Sequence, residues 1–200
     1  MPRMLAAFFA LFLMPATVWA QTPPDEASAF IEGLGARAVE VLQDQTISLE
    51  EREAKLRGIV AESFEVQEIG RFVLDKAWGR ANEEERSEYL DLFADYVLQT
   101  YTKRLGGYSG QTLNIQDSKV YRERLALVST TIEQQGAEDT KVDWLVRKKD
   151  GAIKILDVVI DGKSMTLTQK REFASIIARE DIGGLLQLLR LKVSKYSAQG

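Results

Sequence analysis

An α+β fold, in which helices cover a four-stranded antiparallel sheet, is predicted by three features of this 200-residue chain. Apolar residues recur at helical spacing from residue 25 to 105, alternate with a period of two from 112 to 161, and return to helical spacing after 165. Helices, then a strand meander, then helices is the order expected when helices are segregated onto an antiparallel sheet. All four prolines, Pro2, Pro15, Pro23 and Pro24, fall at the start, so the body of the chain is free of proline breaks. At about 100–200 residues per domain, a single domain is expected.

Met1-Pro2-Arg3 places one positive charge before the apolar run Leu5 to Met14, and Val18-Trp19-Ala20 supplies a small residue at a cleavage position. That combination predicts a secretory signal, cut after Ala20, and an exported soluble product. The run is too short to span a bilayer, which takes about 20 apolar residues. Without cysteine, lipoprotein anchoring is excluded. Gln21 to Pro24 then reads as a short extended linker, and residues 25–200 as the folded unit.

The first helix covers about Asp25 to Asp44, with Phe30, Ile31, Leu34, Ala38, Val41 and Leu42 on one stripe. Ser48 with Glu51 is a capping box that opens a second helix. Phe64 to Leu74 is a third helical stretch, carrying Ile69, Phe72 and Val73. Asn82 with Glu85 caps the clearest helix, which buries Tyr89, Phe93, Tyr96, Val97, Thr100 and Tyr101 and stops at Gly106-Gly107. Strands follow at Thr112–Tyr121, Arg124–Glu133, Thr140–Lys148 and Ala152–Asp161, with Asp150-Gly151 as a hairpin turn between the last two. Alternation puts Val142, Trp144 and Val146 on one face. In the fourth strand it sets Ile153 and Ile155 opposite Leu156, Val158 and Ile160. Closing helices span 165–193, with Met165, Phe173, Ile176 and Ile177 followed by Leu185, Leu186, Leu188 and Leu189.

Composition narrows the chemistry. The chain has no histidine and no cysteine, so it has no Ser-His-Asp triad, no disulfide and neither imidazole nor thiolate for zinc. Residues 21–140 hold 13 basic and 23 acidic side chains, whereas 141–200 hold 12 and 7. A net acidic chain is a poor nucleic-acid binder, because neutralising phosphates takes a basic surface. The polarity between the two parts either orients the molecule towards charged partners or is spread over solvated faces.

Asp91 and Asp95 lie four apart on the long helix, but on its polar side, where a solvated face accounts for them. Gly106 to Gly110 follows a helix and leads into a strand, the reverse of a phosphate-cradling loop. Asp157, the one strand carboxylate flanked by apolar residues, is the candidate for an alternative enzymatic reading as isomerase or hydrolase. The aromatic set Phe93, Tyr96, Tyr101, Trp78 and Trp144 is either plain core or the wall of a hollow between sheet and helices.

Phe64-Glu65-Val66, Ile69-Gly70-Arg71-Phe72-Val73-Leu74, Trp78, Glu85-Arg86, Tyr89, Phe93 and Tyr101 together resemble the MlaC (toluene-tolerance) family of periplasmic phospholipid-binding proteins. So do Asp157-Val158, Ile160 to Ser164, Phe173, Ile176-Ile177, Ile182 to Leu186 and Leu189-Arg190. The resemblance covers nearly the whole mature chain. It implies an NTF2-like sheet-and-helix body with a helical subdomain, a deep lipid pocket, and no enzymatic activity, cofactor or metal. The implied role is that of a periplasmic carrier that moves phospholipid between an outer-membrane lipoprotein complex and an inner-membrane ABC transporter with its substrate-binding component. Lys163 departs from the family, which more often has an apolar or small residue there, and Thr166 to Gln169 resembles a hopanoid-associated branch. Hopanoid cargo and a non-carrier adaptor role in the envelope are the alternatives.

A pocket of this kind would be walled by Leu74, Trp78, Phe93, Val97 and Tyr101 from the helices. Val142, Trp144 and Val146 from the sheet, with Met165, Phe173 and Ile177, would complete it. A one-residue slip in register would exchange Trp144's face for Leu145's. Lys103 and Arg104, at the end of the long helix, are candidates for a headgroup contact and equally for complementing the helix dipole.

Overall fold

Local signals in the sequence become fixed joints in the fold. The computed structural model of the protein describes residues 21–105, 110–122 and 124–197, without the side chains of 101–105 and 196–197. The expected signal segment 1–20 and most of the Gly106–Gly110 turn lie outside the described residues.

Helix α1 runs Pro24–Gln43, with proline in its first turn followed by Asp25 and Glu26, where the helix dipole favours acids. Gln21 to Pro24 is not a free linker. Thr22 is fully buried; its hydroxyl donates to the Arg124 carbonyl at 2.7 Å and accepts from the Lys148 amide at 2.7 Å, which pins the chain to two strands. Helix α2, Leu49–Ser63, opens on the expected capping box, with Ser48 and Glu51 satisfying each other's backbone amides. Helix α3, Val66–Leu74, is followed by α4, Lys76–Arg80, a one-turn helix the periodicity did not separate from its neighbours. Asn82 and Glu85 exchange 2.9 Å hydrogen bonds at the start of α5, Glu83–Leu105.

The sheet is a meander in the order β1-β2-β3-β4-β5, antiparallel throughout: Thr112–Tyr121, Leu125–Glu133, Thr140–Lys149, Ala152–Ile160 and Lys163–Ser164. Asp150 and Gly151 both have positive φ (51° and 83°), as a two-residue turn of the twist-matching kind demands. Asp161 (46°) and Gly162 (77°) repeat that turn and add the two-residue β5 to the four expected strands. Lys163, the residue at odds with the family pattern, lies exposed in β5.

The expected division of β4 into two apolar faces is corrected by a bulge. Val146 pairs with Ile155 but Leu145 pairs with Asp157, so Leu156 is the extra residue and the alternation changes phase there. Val158 and Ile160 therefore join Ile153 and Ile155 on the face that carries Val142, Trp144 and Val146. One face of β4 is thus continuously apolar.

Two cores result. In the first, Ala27, Ile31 and Leu34 of α1 pack on Ala126, Val128, Val146 and Ile155 of the sheet. In the second, Val73, Leu74 and Ala77 meet Tyr89 and Phe93 of α5 and Phe173, Leu185, Leu186 and Leu189 of helix α6, Met165–Ser197. Asp181, at φ 54° and ψ −164°, breaks α6 into two segments; its carboxylate accepts from the Gly183 amide at 2.8 Å and restarts the helix. A Cβ on Gly184 would stand 2.3 Å from Glu180 Cβ, so only glycine permits that kink. The second core is held by aromatic rings: Phe173 meets Tyr89 and Phe93 edge to face at 6.3 and 6.2 Å.

Gly70 lets α3 approach α5. A Cβ there would lie 2.9 Å from Phe93 Cδ1 and 3.1 Å from Leu90 Cδ2, and the buried Tyr89 hydroxyl donates to the Gly70 carbonyl at 3.0 Å. Burial pushes the Tyr89 phenol far above its ordinary value, which keeps it a neutral donor. Gly70→Ala should overpack this contact and cost about 1–3 kcal/mol, read as a lower urea midpoint with an unchanged slope.

The charge asymmetry is used inside the molecule. Arg147–Glu68, Lys148–Glu26, Lys170–Asp75 and Arg190–Glu88 each join a base of the last sixty residues to an acid of the first part.

Candidate functional site

The two cores meet along a seam where β4 and β5 contact the helices α3 and α6. The chain crosses it where Phe64 bridges to Ile155 and the Glu65 amide donates to the Ile155 carbonyl at 3.0 Å. It crosses again where β5 runs into α6. There Asp157 accepts from the Thr166 amide at 3.0 Å, the Val158 amide at 2.9 Å and the Ser164 hydroxyl at 2.5 Å. Those donors occupy the carboxylate as a helix cap, so the observation that singled Asp157 out for catalysis is accounted for by α6. Asp91 and Asp95 are exposed on the outer side of α5.

The residues expected to wall a pocket lie on both sides of this seam instead of around one hollow. Leu74, Phe93 and Phe173 are buried in the helical core, with Trp78, Val97 and Ile177 half-buried against it. Val146 is buried in the sheet core and Trp144 packs on its edge, its indole Nε1 donating to Thr130 Oγ1 at 3.0 Å. Val142 is 3% exposed at the far end of the same face, outside either core, and Met165 is half-buried in the first turn of α6. The cross-strand register places Val142, Trp144 and Val146 together on the face that packs on α1, while Leu145 on the other face is half-buried. The side chains of Tyr101, Lys103 and Arg104 lie outside the described residues.

A salt bridge spans the seam at one end. Arg147 of β3 grips Glu68 of α3 with both nitrogens, at 2.9 and 2.5 Å. The Arg147 hydrogen bond holds the Glu68 carboxyl below its ordinary 4.5 against the opposing pull of partial burial, and Lys149 and Arg71 add their fields. Glu68 in turn raises Arg147. A depressed carboxyl stabilises the fold above its ordinary value and loses that contribution as pH falls through the lower folded value. Glu68→Gln should therefore unfold at lower urea than the parent at pH 7, and the gap should narrow as pH falls below 4.5.

Two grooves open on the surface beside these elements. One, of about 570 Å³, lies between α3, α4, α6 and the β3–β4 hairpin; Glu68, Arg71, Phe72, Trp78, Lys149 and Lys170 are among its walls. The other, of about 340 Å³, lies between α1 and α2, with Arg37, Glu40, Asp44 and Lys55 among its walls. Neither is an apolar hollow, and of the residues expected to wall a lipid pocket only Trp78 lines one of them. The first groove escaped sequence reasoning because its charges come from three distant segments and share no local spacing. Among the described residues no cluster of acids is arranged to hold a metal ion, and no helix is long and apolar enough to cross a membrane.

A family model described as "MlaC protein" matches residues 17–191. Among solved structures, a phospholipid-binding protein from Ralstonia solanacearum, in complex with a phospholipid, shares the fold at a TM-score of 0.75. The two chains are 20% identical, and the match covers 86% of this chain and 98% of the other.

Proposed function

The chain belongs to the MlaC family, and on that premise we propose that it is a periplasmic phospholipid carrier, exported by the signal in residues 1–20. In this reading it takes lipid from one membrane complex and yields it to another, between an outer-membrane lipoprotein complex and an inner-membrane ABC transporter. It performs no chemistry on its cargo.

The observation that carries the reading is the division of the interior into two separate cores. A single continuous core opens only by breaking its own packing, whereas two cores can part along their seam with each left intact. The apolar side chains on either side, Val142 and Trp144 from the sheet and Val97 and Ile177 from the helices, are the surface such parting would offer to acyl chains. The energetics ask for that shelter. Two chains of about 16 carbons would cost roughly 20–25 kcal/mol to expose to water, at about 0.8 kcal/mol per CH₂. Moving them from a bilayer into an apolar seam exchanges one apolar medium for another, so the transfer is close to neutral and direction is set by differential affinity at each docking complex. The structural neighbour, similar in fold and solved with a phospholipid, supports the same cargo class.

Organic extraction of the purified mature chain, followed by mass spectrometry of the extract, tests this. Co-purifying phospholipid is expected at a defined stoichiometry. Hopanoid in its place would redirect the cargo assignment, and an empty extract from well-folded protein would contradict carriage.

A further inference from the structure

The 570 Å³ groove at one end of the seam has a role that its packing does not explain. Its acids are unequally engaged. Glu68 is gripped by Arg147, and Asp75 is bound by Lys170 Nζ at 3.1 Å, while Lys170 also sits 4.6 Å over the Phe72 ring. Arg71 and Lys149 line the same groove, and neither forms an ion pair among the described residues. The positive fields of Arg71 and Lys149 reach Glu68, which Arg147 already pairs. Arg71 is also pre-oriented: its guanidinium carbon lies 5.0 Å from the centroid of the Trp78 ring, which Arg86 approaches to 5.4 Å. Trp78 belongs to both worlds, lining the groove and packing on the helical core.

We propose that this groove is a phosphate subsite, in which the phosphodiester of a phospholipid headgroup lies between Arg71 and Lys149 and Trp78 marks where headgroup gives way to acyl chain. A planar guanidinium fork held over an indole matches phosphate oxygens, and a lysine supplies a second, adjustable positive charge. Tryptophan suits a boundary with one apolar and one wet side. The assignment rests on the carrier reading and places the headgroup at this groove in place of the end of α5, where Lys103 and Arg104 were candidates.

The test uses the delipidated mature chain and three probes: dihexanoyl phosphatidylglycerol, dihexanoylglycerol with the same tails and no phosphate, and inorganic phosphate. Arg71→Gln combined with Lys149→Gln removes both cations from exposed positions, so folding is preserved. Titration calorimetry should show the phospholipid bound about five- to tenfold more weakly by the double variant, the scale expected for partly exposed charge-assisted contacts, with dihexanoylglycerol unaffected. Equal weakening of both lipids, or of neither, would overturn the subsite while leaving the carrier reading in place. A wild-type chain that binds neither lipid would overturn the carrier reading and the subsite with it. Inorganic phosphate bound by that same chain and lost in the double variant would show a site for the free anion instead.

Discussion

Phe93→Ala is expected to lower the unfolding free energy by about 3–5 kcal/mol, the range for deleting a large aromatic side chain from a closed core. Phe93 is 1% exposed, stacks on Tyr89 at 5.6 Å, meets Phe173 edge to face and fills the space that Gly70 leaves open on α3. Three elements, α3, α5 and α6, therefore lose contacts when its ring is removed, and little nearby can collapse into the gap. Urea titration followed by circular dichroism reads the loss directly. The half-buried Val97, one turn further along α5, is the control: Val97→Ala should cost clearly less, because its side chain is not enclosed on every side. A Phe93→Ala loss under 1 kcal/mol would mean that the helical core is not packed as described.

Trp144→Asp is expected to have the largest effect on cargo. The indole packs on the edge of the sheet core and donates to Thr130 Oγ1, which in turn donates to the Val142 carbonyl at 2.9 Å. Aspartate removes a large apolar surface and sets a carboxylate on the sheet's apolar face, where it lacks a compensating partner. The variant should be exported and folded, should lose roughly 2–4 kcal/mol of stability, and should retain only a small fraction of the parent's lipid by mass spectrometry. Trp144→Phe separates the two effects. It keeps most of the area and gives up one hydrogen bond, so it should cost about 1 kcal/mol and keep its lipid. Undiminished lipid in Trp144→Asp would place the acyl chains away from this face of the sheet.

What could be read from the sequence was whatever has a local cause. Ser48 with Glu51 and Asn82 with Glu85 announce helix starts because the capping side chains reach backbone amides three residues away. Asp150-Gly151 announces a hairpin because the turn demands two positive φ angles in succession. That Val142, Trp144 and Val146 share one face also followed from alternation, since β3 keeps its phase along its length.

The rest depends on contacts that alternation cannot express. Leu156 is apolar and β-compatible, yet it is the bulged residue of β4, and only pairing with Leu145 and Val146 reveals that Val158 and Ile160 change sides. The break at Asp181 hides inside a stretch whose spacing is helical on both sides. The division of the interior was also illegible, because Leu74, Phe93 and Phe173 share apolar character with Trp144 and Val146 and nothing in their order assigns them to different cores. The charged groove was the least visible feature. Arg71, Lys149 and Lys170 come from α3, the end of β3 and α6, and each alone reads as an ordinary solvated base.

The central claim, that acyl chains lodge between sheet and helices, is tested most directly by photocrosslinking. The mature chain would be loaded with a phospholipid bearing a diazirine midway along one acyl chain, irradiated, and its labelled peptides mapped by mass spectrometry. Adducts are predicted on both banks of the seam, at Val142 or Trp144 from the sheet and at Val97 or Ile177 from the helices. Labelling confined to exposed apolar residues such as Leu49, Leu167 and Leu191 would contradict it.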